Sequence, residues 1–470
     1  MNTKNVIQLV LSLLFMSFIS SAAQAESFNC KADASWFKTP KMPTEVAQSI
    51  KGTSSNFCDF YQFSWQALAY LMTPSLSDPK IRNFQSNLYN QLEINSDGKP
   101  ANSCDDKHDS NTLFIRITKT DDAGAPFVIP EDIHQAGGGA TIYDQNQNVV
   151  YYDVRFSKNM CNISAISSAN NFPPGTLEMK TAWKVMGPKD DQTKYLTMST
   201  KIGSSTTPTT LGMIGFHTAL ATKNHPEFVW ATFEHKINAP DCVNPTTSPA
   251  WDFASQTCQK ALVDKDIRGI INCKFNTAIK QKNPATTTST PTQICREYAY
   301  GSAKGDLKYD ENVGDITSLN NNVQPFLTGS YAILKNYFNV GAIWLSDTSK
   351  SSDIGNQRGS LRLANTVAET EHQNVDLTSP VFISNCFGCH NFSGTGNNTT
   401  SGALSHIFDD IIAGSVVCVD VQASSLINSQ PQAEQQCPTT CSGNSIHPVW
   451  NGQWTNKGVP MTVCGCCSKK

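Results

Sequence analysis

Cys386-Phe387-Gly388-Cys389-His390 is the stretch of this chain whose residue types and spacing come closest to a defined chemistry. Two thiols at this spacing reach the two vinyl groups of one porphyrin, and the imidazole that follows turns onto the iron. The motif therefore predicts one covalent haem c, attached through Cys386 and Cys389, with His390 as the proximal ligand of the haem iron. A disulfide between the two cysteines, or half of a zinc site, would use the same residues. Zinc wants further Cys or His ligands at suitable spacing.

The sixth iron position is not fixed by the motif. An ordinary small cytochrome supplies a methionine some tens of residues downstream, and there is none between His390 and Gly414. His217 and His235, on runs that read as strands, are the leading candidates, ahead of His225, His372 and His406. The alternative is a position open to water or substrate. Glu234 and His235 are neighbours on a strand and so point to opposite faces, which argues against a joint acid and base role.

The first residues explain how haem and this chain would meet. Lys4 precedes an apolar run of 14 residues, Val6 to Ile19, and Ala23-Gln24-Ala25 has the small-x-small pattern of a signal-peptidase site. Residues 1–25 therefore read as a signal peptide, with export to the periplasm or beyond. The run is shorter than the roughly 20 residues of a membrane-crossing helix, so no transmembrane segment is expected in the mature chain. Sixteen cysteines suit an oxidising compartment, and removing Cys386 and Cys389 leaves an even number able to pair as disulfides. With 36 basic against 39 acidic residues and no basic cluster, nucleic acid is not an expected partner.

The elements that must position the motif follow from periodicity. Phe57, Phe60, Tyr61, Ser64, Trp65, Leu68 and Met72 recur at helical spacing, predicting a buried amphipathic helix. From Thr112 to Lys236, short β-branched and aromatic runs alternate with turn clusters such as Asp144 to Asn148, predicting antiparallel sheet. Within it, Leu177 to Val185 alternates as a strand with one apolar face, and Tyr195 to Met198, Leu211 to Leu220 and Phe228 to His235 continue the sheet. Residues 283 to 293 are a polar linker. Gly329 to Leu345 reads as a helix whose apolar stripe is either a wall against a cofactor or plain core. A Gly/Asn/Ser/Thr loop follows the motif from Asn391 to Gly402, then a short helix near Ser405 to Ile412 and a boundary at Ala413-Gly414-Ser415.

The last 55 residues hold six cysteines and read as a small stapled module. Val417 to Val421, Trp450 to Trp454 and Met461 to Cys464 are strand-like, and Ser429 to Gln436 is helical. On a strand, Trp450, Gly452 and Trp454 share a face, so two indoles flank a gap opened by glycine. Such a surface stacks sugar C–H faces while nearby amides bind hydroxyls, and it equally suits the core of a tiny module.

Two resemblances add to these readings. Phe60 to Gln66, Lys180 to Lys184, Trp230 to His235 and Arg362-Leu363-Ala364-Asn365 through Asn385 to His390 together resemble a bacterial cytochrome c family protein over roughly residues 56–412. That resemblance implies a monohaem site and no particular reaction. Ala433 to Pro438, Trp450-Asn451-Gly452-Gln453-Trp454-Thr455 and Met461 to Cys466 resemble one repeat of the mannan-binding protein family of small microbial lectins over roughly residues 416–467. It implies an oligomannose-type glycan partner and a sugar site at Gly452, Gln453, Trp454 and Thr455. Leu426-Ile427 stands where that family has an aromatic residue, and only one repeat is present.

The sequence thus predicts an α+β chain: a signal peptide (1–25), a large, mainly antiparallel haem c-bearing domain with packed helices (26–412), and a small disulfide-rich lectin-like module (416–470). The expected function is electron transfer or other redox work targeted to mannose-containing glycan. The alternatives are a secreted peroxidase- or oxidase-like haem enzyme with an open axial position, and a carbohydrate-binding protein with structural haem. The redox partner is not specified.

Overall fold

β-Branched and aromatic runs build one large sheet. The computed structural model describes residues 28–92, 103–104, 142–162, 170–200, 207–248, 250–277, 290–373, 385–390, 399–414, 418–456 and 461–468. The signal-peptide segment, the expected sheet before residue 142, most of the 283–293 linker, the loop at 391–398 and the boundary at Ser415 lie outside these residues. The sheet has eight strands: β1 (Tyr89–Gln91), β2 (Tyr151–Ser157), β3 (Leu177–Val185), β4 (Thr197–Thr200), β5 (Thr209–Leu220), β6 (Val229–His235), β7 (Tyr337–Leu345) and β8 (Gln357–Gly359). They run β1-β2-β3-β5-β6-β7-β8, with β4 also on β5, and every pair is antiparallel. The chain is α+β, as its sequence pattern implies.

Register decides which side chains meet. Across β3, β5 and β6, Glu178, Ala219 and Trp230 form one row and Lys180, His217 and Thr232 the next. Partners across antiparallel strands share a face and alternate residues return to it, so all six lie on one side. On the opposite side Met179, Trp183, Phe216, Ala231 and Phe233 pack with the Phe57–Leu71 and Tyr309–Asn322 helices. The first of these helices starts at a capping box. Asn56 accepts the Asp59 N–H at 2.9 Å, and Asp59 accepts the Asn56 N–H at 2.8 Å. Its Phe60 stacks on Trp344 with centroids 3.7 Å apart, and its Trp65 meets Phe233 edge-on. Each such fully buried aromatic contributes roughly 1.5–3 kcal/mol.

Two expectations need correction. Gly329 to Leu345 is not one helix: Gly329–Asn336 is a 3-10 turn and Tyr337–Leu345 is strand β7, paired to β6 and β8. A strand buried on both faces shows an unbroken apolar run, which imitates a helical stripe when short. Gly341 marks the difference, because a Cβ there would lie 2.0 Å from Ser360 Oγ. Strand β3 likewise lacks a solvent face. Glu178 and Lys184, on its polar side, are buried and satisfied by Ser405 and by Asp252 with Asp190.

The covering on that second face comes partly from Ala239, Phe253, Ile294, Val367 and Ala368, over Tyr152, Ala182 and Ile214, and partly from the chain after residue 385. Phe387, Leu404, Ile407, Phe408 and Ile411 pack with Val154, Phe156, Ala219, Trp230, Val340 and Ile343. The Cys386–His390 segment is therefore part of the core that packs on the sheet.

A separate three-stranded sheet, β10 (Val449–Thr455), β11 (Val463–Cys467) and β9 (Cys418–Gln422) in that order, carries the Gln430–Ser442 helix. Cys437–Cys464 and Cys441–Cys466 staple that helix to β11. Cys30–Cys58, Cys104–Cys161, Cys242–Cys295 and Cys258–Cys273 are further disulfides and Cys467 is disulfide-bonded as well, a pattern suited to an oxidising compartment. Also among the described residues, no helix is long and apolar enough to cross a membrane.

Candidate functional site

Cys386–His390 forms a single helical turn whose start is held by Asn385. The Asn385 side chain accepts the Gly388 N–H at 3.0 Å and donates to Gln357 Oε1 at 2.7 Å and the Leu361 carbonyl at 2.9 Å. This ties the turn to β8. Phe387, fully buried, meets Trp230 edge-on, and Cys386 and Cys389 carry thiols rather than a disulfide. Burial and the nearby Glu369 carboxylate push the Cys386 thiol well above its ordinary range.

His390 is oriented from its far side. Its Nδ1 lies 2.5 Å from the Leu404 carbonyl, which fixes the proton on Nδ1 and leaves Nε2 with its lone pair. Leu404 is itself anchored: Thr400 caps its short helix, and Ser401 donates its N–H to Asn171 Oδ1 and accepts the Phe172 N–H at its Oγ. Burial, then the neighbouring His406, hold His390 well below the usual histidine range, so the ring is neutral.

These groups line a small cavity of about 50 Å³ whose floor is the sheet rows described above. Glu178, Lys180, His217 and Trp230 rise from β3, β5 and β6, while Glu369, Cys386, His390 and His406 come from later in the chain. Trp230 packs on His390 with ring centroids 4.4 Å apart, and His406 lies 4.6 Å from the same ring. Two polar atoms here, His217 Nε2 and Trp230 Nε1, are buried with no hydrogen-bond partner. Buried polar groups are nearly always paired, so two orphans in one pocket call for a ligand or ordered water. Burial lowers His217 as well, and it pushes the Glu178 carboxyl up to about 8.

The structure brings His217 to the motif and leaves His235 elsewhere. His235 stacks on Tyr195 at 4.2 Å, and both its ring nitrogens are engaged, by the Lys194 carbonyl and the Ile237 N–H. Its neighbour Glu234 binds Arg296 and the Thr366 N–H, so the pair diverges as strand alternation requires. His225 faces Phe60 and Glu227. Trp230, Glu178 and the Leu404 carbonyl were invisible as site groups in the sequence, because only register and a tertiary turn deliver them. Among the described residues, no group of three or more His, Cys, Asp or Glu is spaced to hold a bare metal ion.

In the small module, Gly452, Gln453, Trp454 and Thr455 line one solvent-open groove of about 410 Å³, with Asp420, Gln430, Val463 and Gly465. The two tryptophans do not alternate simply, because the β10/β11 register shifts between Trp450 and Trp454 and Gly452 turns there at φ +86°. Both are half-buried against the stapled core. Trp450 Nε1 donates to the Gln453 carbonyl and Trp454 Nε1 to Gln430 Oε1, each at 2.8 Å. Asn451 Oδ1 accepts the Gln453 N–H at 2.9 Å, over Gly465.

Residues 430–466 match the family model described as mannan-binding protein. The C-terminal module is therefore lectin-like, and the match takes in its helix, both tryptophans and both staples. No cytochrome c family model matches the larger domain. No curated protein and no solved structure matches the chain.

Proposed function

We propose that this chain is an exported glycan-binding protein whose large domain carries one c-type haem and serves in electron transfer. The glycan half rests on the mannan-binding protein match and on the groove that gathers Gly452, Gln453, Trp454 and Thr455. A half-exposed indole offers a stacking platform, and the flanking Asp420, Gln430 and Gln453 offer polar partners for sugar hydroxyls. The ligand class is a mannose-containing oligosaccharide.

The haem half rests on one observation above the motif itself: the pocket at Cys386 and His390 also holds two orphaned buried nitrogens, His217 Nε2 and Trp230 Nε1. That donor set fits a porphyrin. The thiols of Cys386 and Cys389 would hold its edge, and His390 would ligate the iron through Nε2, its Nδ1–H spent on Leu404. When bound, the group supplies a one-electron couple at its iron. The chain's own part is to orient the imidazole, exclude water with Phe387, Trp230 and Ile407, and keep Glu178 protonated on the pocket wall. Further imidazoles beside His390 favour a filled axial position, hence electron transfer over a peroxidase- or oxidase-like enzyme.

The test is a pyridine haemochrome spectrum of full-length protein made with a haem-attachment system, beside a Cys386→Ala, Cys389→Ala variant. The wild type should keep porphyrin mass after acid-acetone washing and the variant should not. A wild type without added mass sinks the haem reading. Cyanide or carbon monoxide binding to the wild-type iron would return the open-site enzyme reading, and inertness to dithionite and ascorbate the structural-haem reading. Titration with mannan oligosaccharides tests the module independently.

A further inference from the structure

The candidates for the second axial ligand are unequal in geometry. Two imidazoles on opposite sides of one iron hold their ring centroids roughly 6 Å apart, since each metal–nitrogen bond is about 2 Å and the centroid lies about 1 Å behind the nitrogen. His406 is 4.6 Å from His390, ring to ring and tilted by 41°. It flanks the proximal ring and does not oppose it across an iron. His235 has both nitrogens occupied outside the pocket.

His217 differs in its place in the fold and in its free ring nitrogen. It lines the same pocket as Cys386 and His390, from the neighbouring sheet rather than from the motif's own segment. Its Nε2 is buried and has no hydrogen-bond partner. It sits in the middle of β5, flanked by Lys180 on β3 and Thr232 on β6, so its backbone is fixed on both sides by ladder hydrogen bonds. A ligand presented from a rigid strand is positioned more tightly than one on a loop.

We infer that His217 Nε2 is the second axial ligand of the haem iron, opposite His390, and that His406 is a flanking residue that holds the proximal ring. This rests on the haem reading above. The sheet then supplies one ligand and the C-terminal covering segment the other, so iron cross-links the two layers of the core.

The experiment uses the full-length haem-loaded protein, with pyridine haemochrome content measured first for every variant. Electron paramagnetic resonance and magnetic circular dichroism of the wild type should show a low-spin iron with two histidine ligands. His217→Ala should be high-spin, bind carbon monoxide at least tenfold faster, and return to low-spin on adding imidazole. His217→Met should show methionine ligation in place of the second histidine. His406→Ala should stay low-spin. A low-spin, two-histidine spectrum in His217→Ala, or its loss in His406→Ala with His217 intact, overturns the assignment. A wild type without haemochrome overturns it together with the haem reading, and by a different measurement.

Discussion

The indole of Trp230 lies against the imidazole of His390, ring centroids 4.4 Å apart and planes 50° apart, and so joins strand β6 to the turn that bears the motif. Trp230 is 6% exposed and also meets Phe228 and Phe387. Trp230→Ala should therefore destabilise the large domain by about 3–5 kcal/mol, read as a lower urea midpoint at unchanged slope. Trp230→Phe keeps most of the packing and removes the orphaned N–H, so its loss should be under about 1.5 kcal/mol. Equal losses in the two variants would count against this packing role.

Glu178 makes stability depend on pH in a definite direction. Burial raises its carboxyl from 4.5 to about 8, while the hydroxyl donated by Ser405 pulls the other way. The folded state therefore binds the proton more tightly than the unfolded state. Stability from this group is fully present below about pH 4.5 and is lost as the pH rises toward 8. The wild type should lose up to about 1.4 kcal/mol per pH unit in that window relative to Glu178→Gln. Parallel stability curves for the two proteins would refute the assignment.

Lys184 and Asp252 form a buried pair, 2.5 Å apart, that also takes in Asp190 and the Tyr195 hydroxyl. Removing one charge leaves the other stranded. Lys184→Met alone should cost about 3–5 kcal/mol, while Lys184→Met with Asp252→Asn should recover most of it. A double-mutant cycle in urea measures the difference, and additive losses would show that the pair does not couple.

In the small module, a Cβ on Gly465 would lie 2.5 Å from Asn451 Oδ1, the atom that accepts the Gln453 N–H in the groove wall. Gly465→Ala should push Asn451 aside and weaken mannan-oligosaccharide binding about tenfold, or about 1.4 kcal/mol. Trp454→Ala should remove binding altogether. Neither should move the large domain's unfolding transition, and calorimetry with ligand titration checks both. Unchanged affinity in Trp454→Ala would exclude this groove as the sugar site.

Much of the fold was legible because its signals are local. The Phe57–Leu71 helix has its cap and its spacing written in the consecutive run from Asn56 to Leu71, about four turns, and the segment Leu177–Val185 alternates along its whole length. Strand β7 was misread because a strand covered on both faces loses its alternation, and nothing in Tyr337 to Leu345 reveals two coverings. The motif at Cys386 to His390 was legible as chemistry, being contiguous. Its surroundings were not: Trp230, Glu178 and the Leu404 carbonyl reach it through register and a tertiary turn. His217 and His235 looked equivalent as histidines on adjacent strands. His217 pairs with Thr232, and His235, three residues further along β6, therefore faces the other side of the sheet, where it meets the Lys194 carbonyl.

The segment that seals one sheet face, with Phe387, Leu404, Ile407, Phe408 and Ile411, is also the segment that bears the motif. A premature stop between β7 and residue 385 would uncover an apolar patch that includes Phe228, Trp230, Val340 and Ile343. Patches of that kind drive self-association. Truncated chains should thus be recovered as aggregates, giving the cell a built-in reason to accumulate only complete copies.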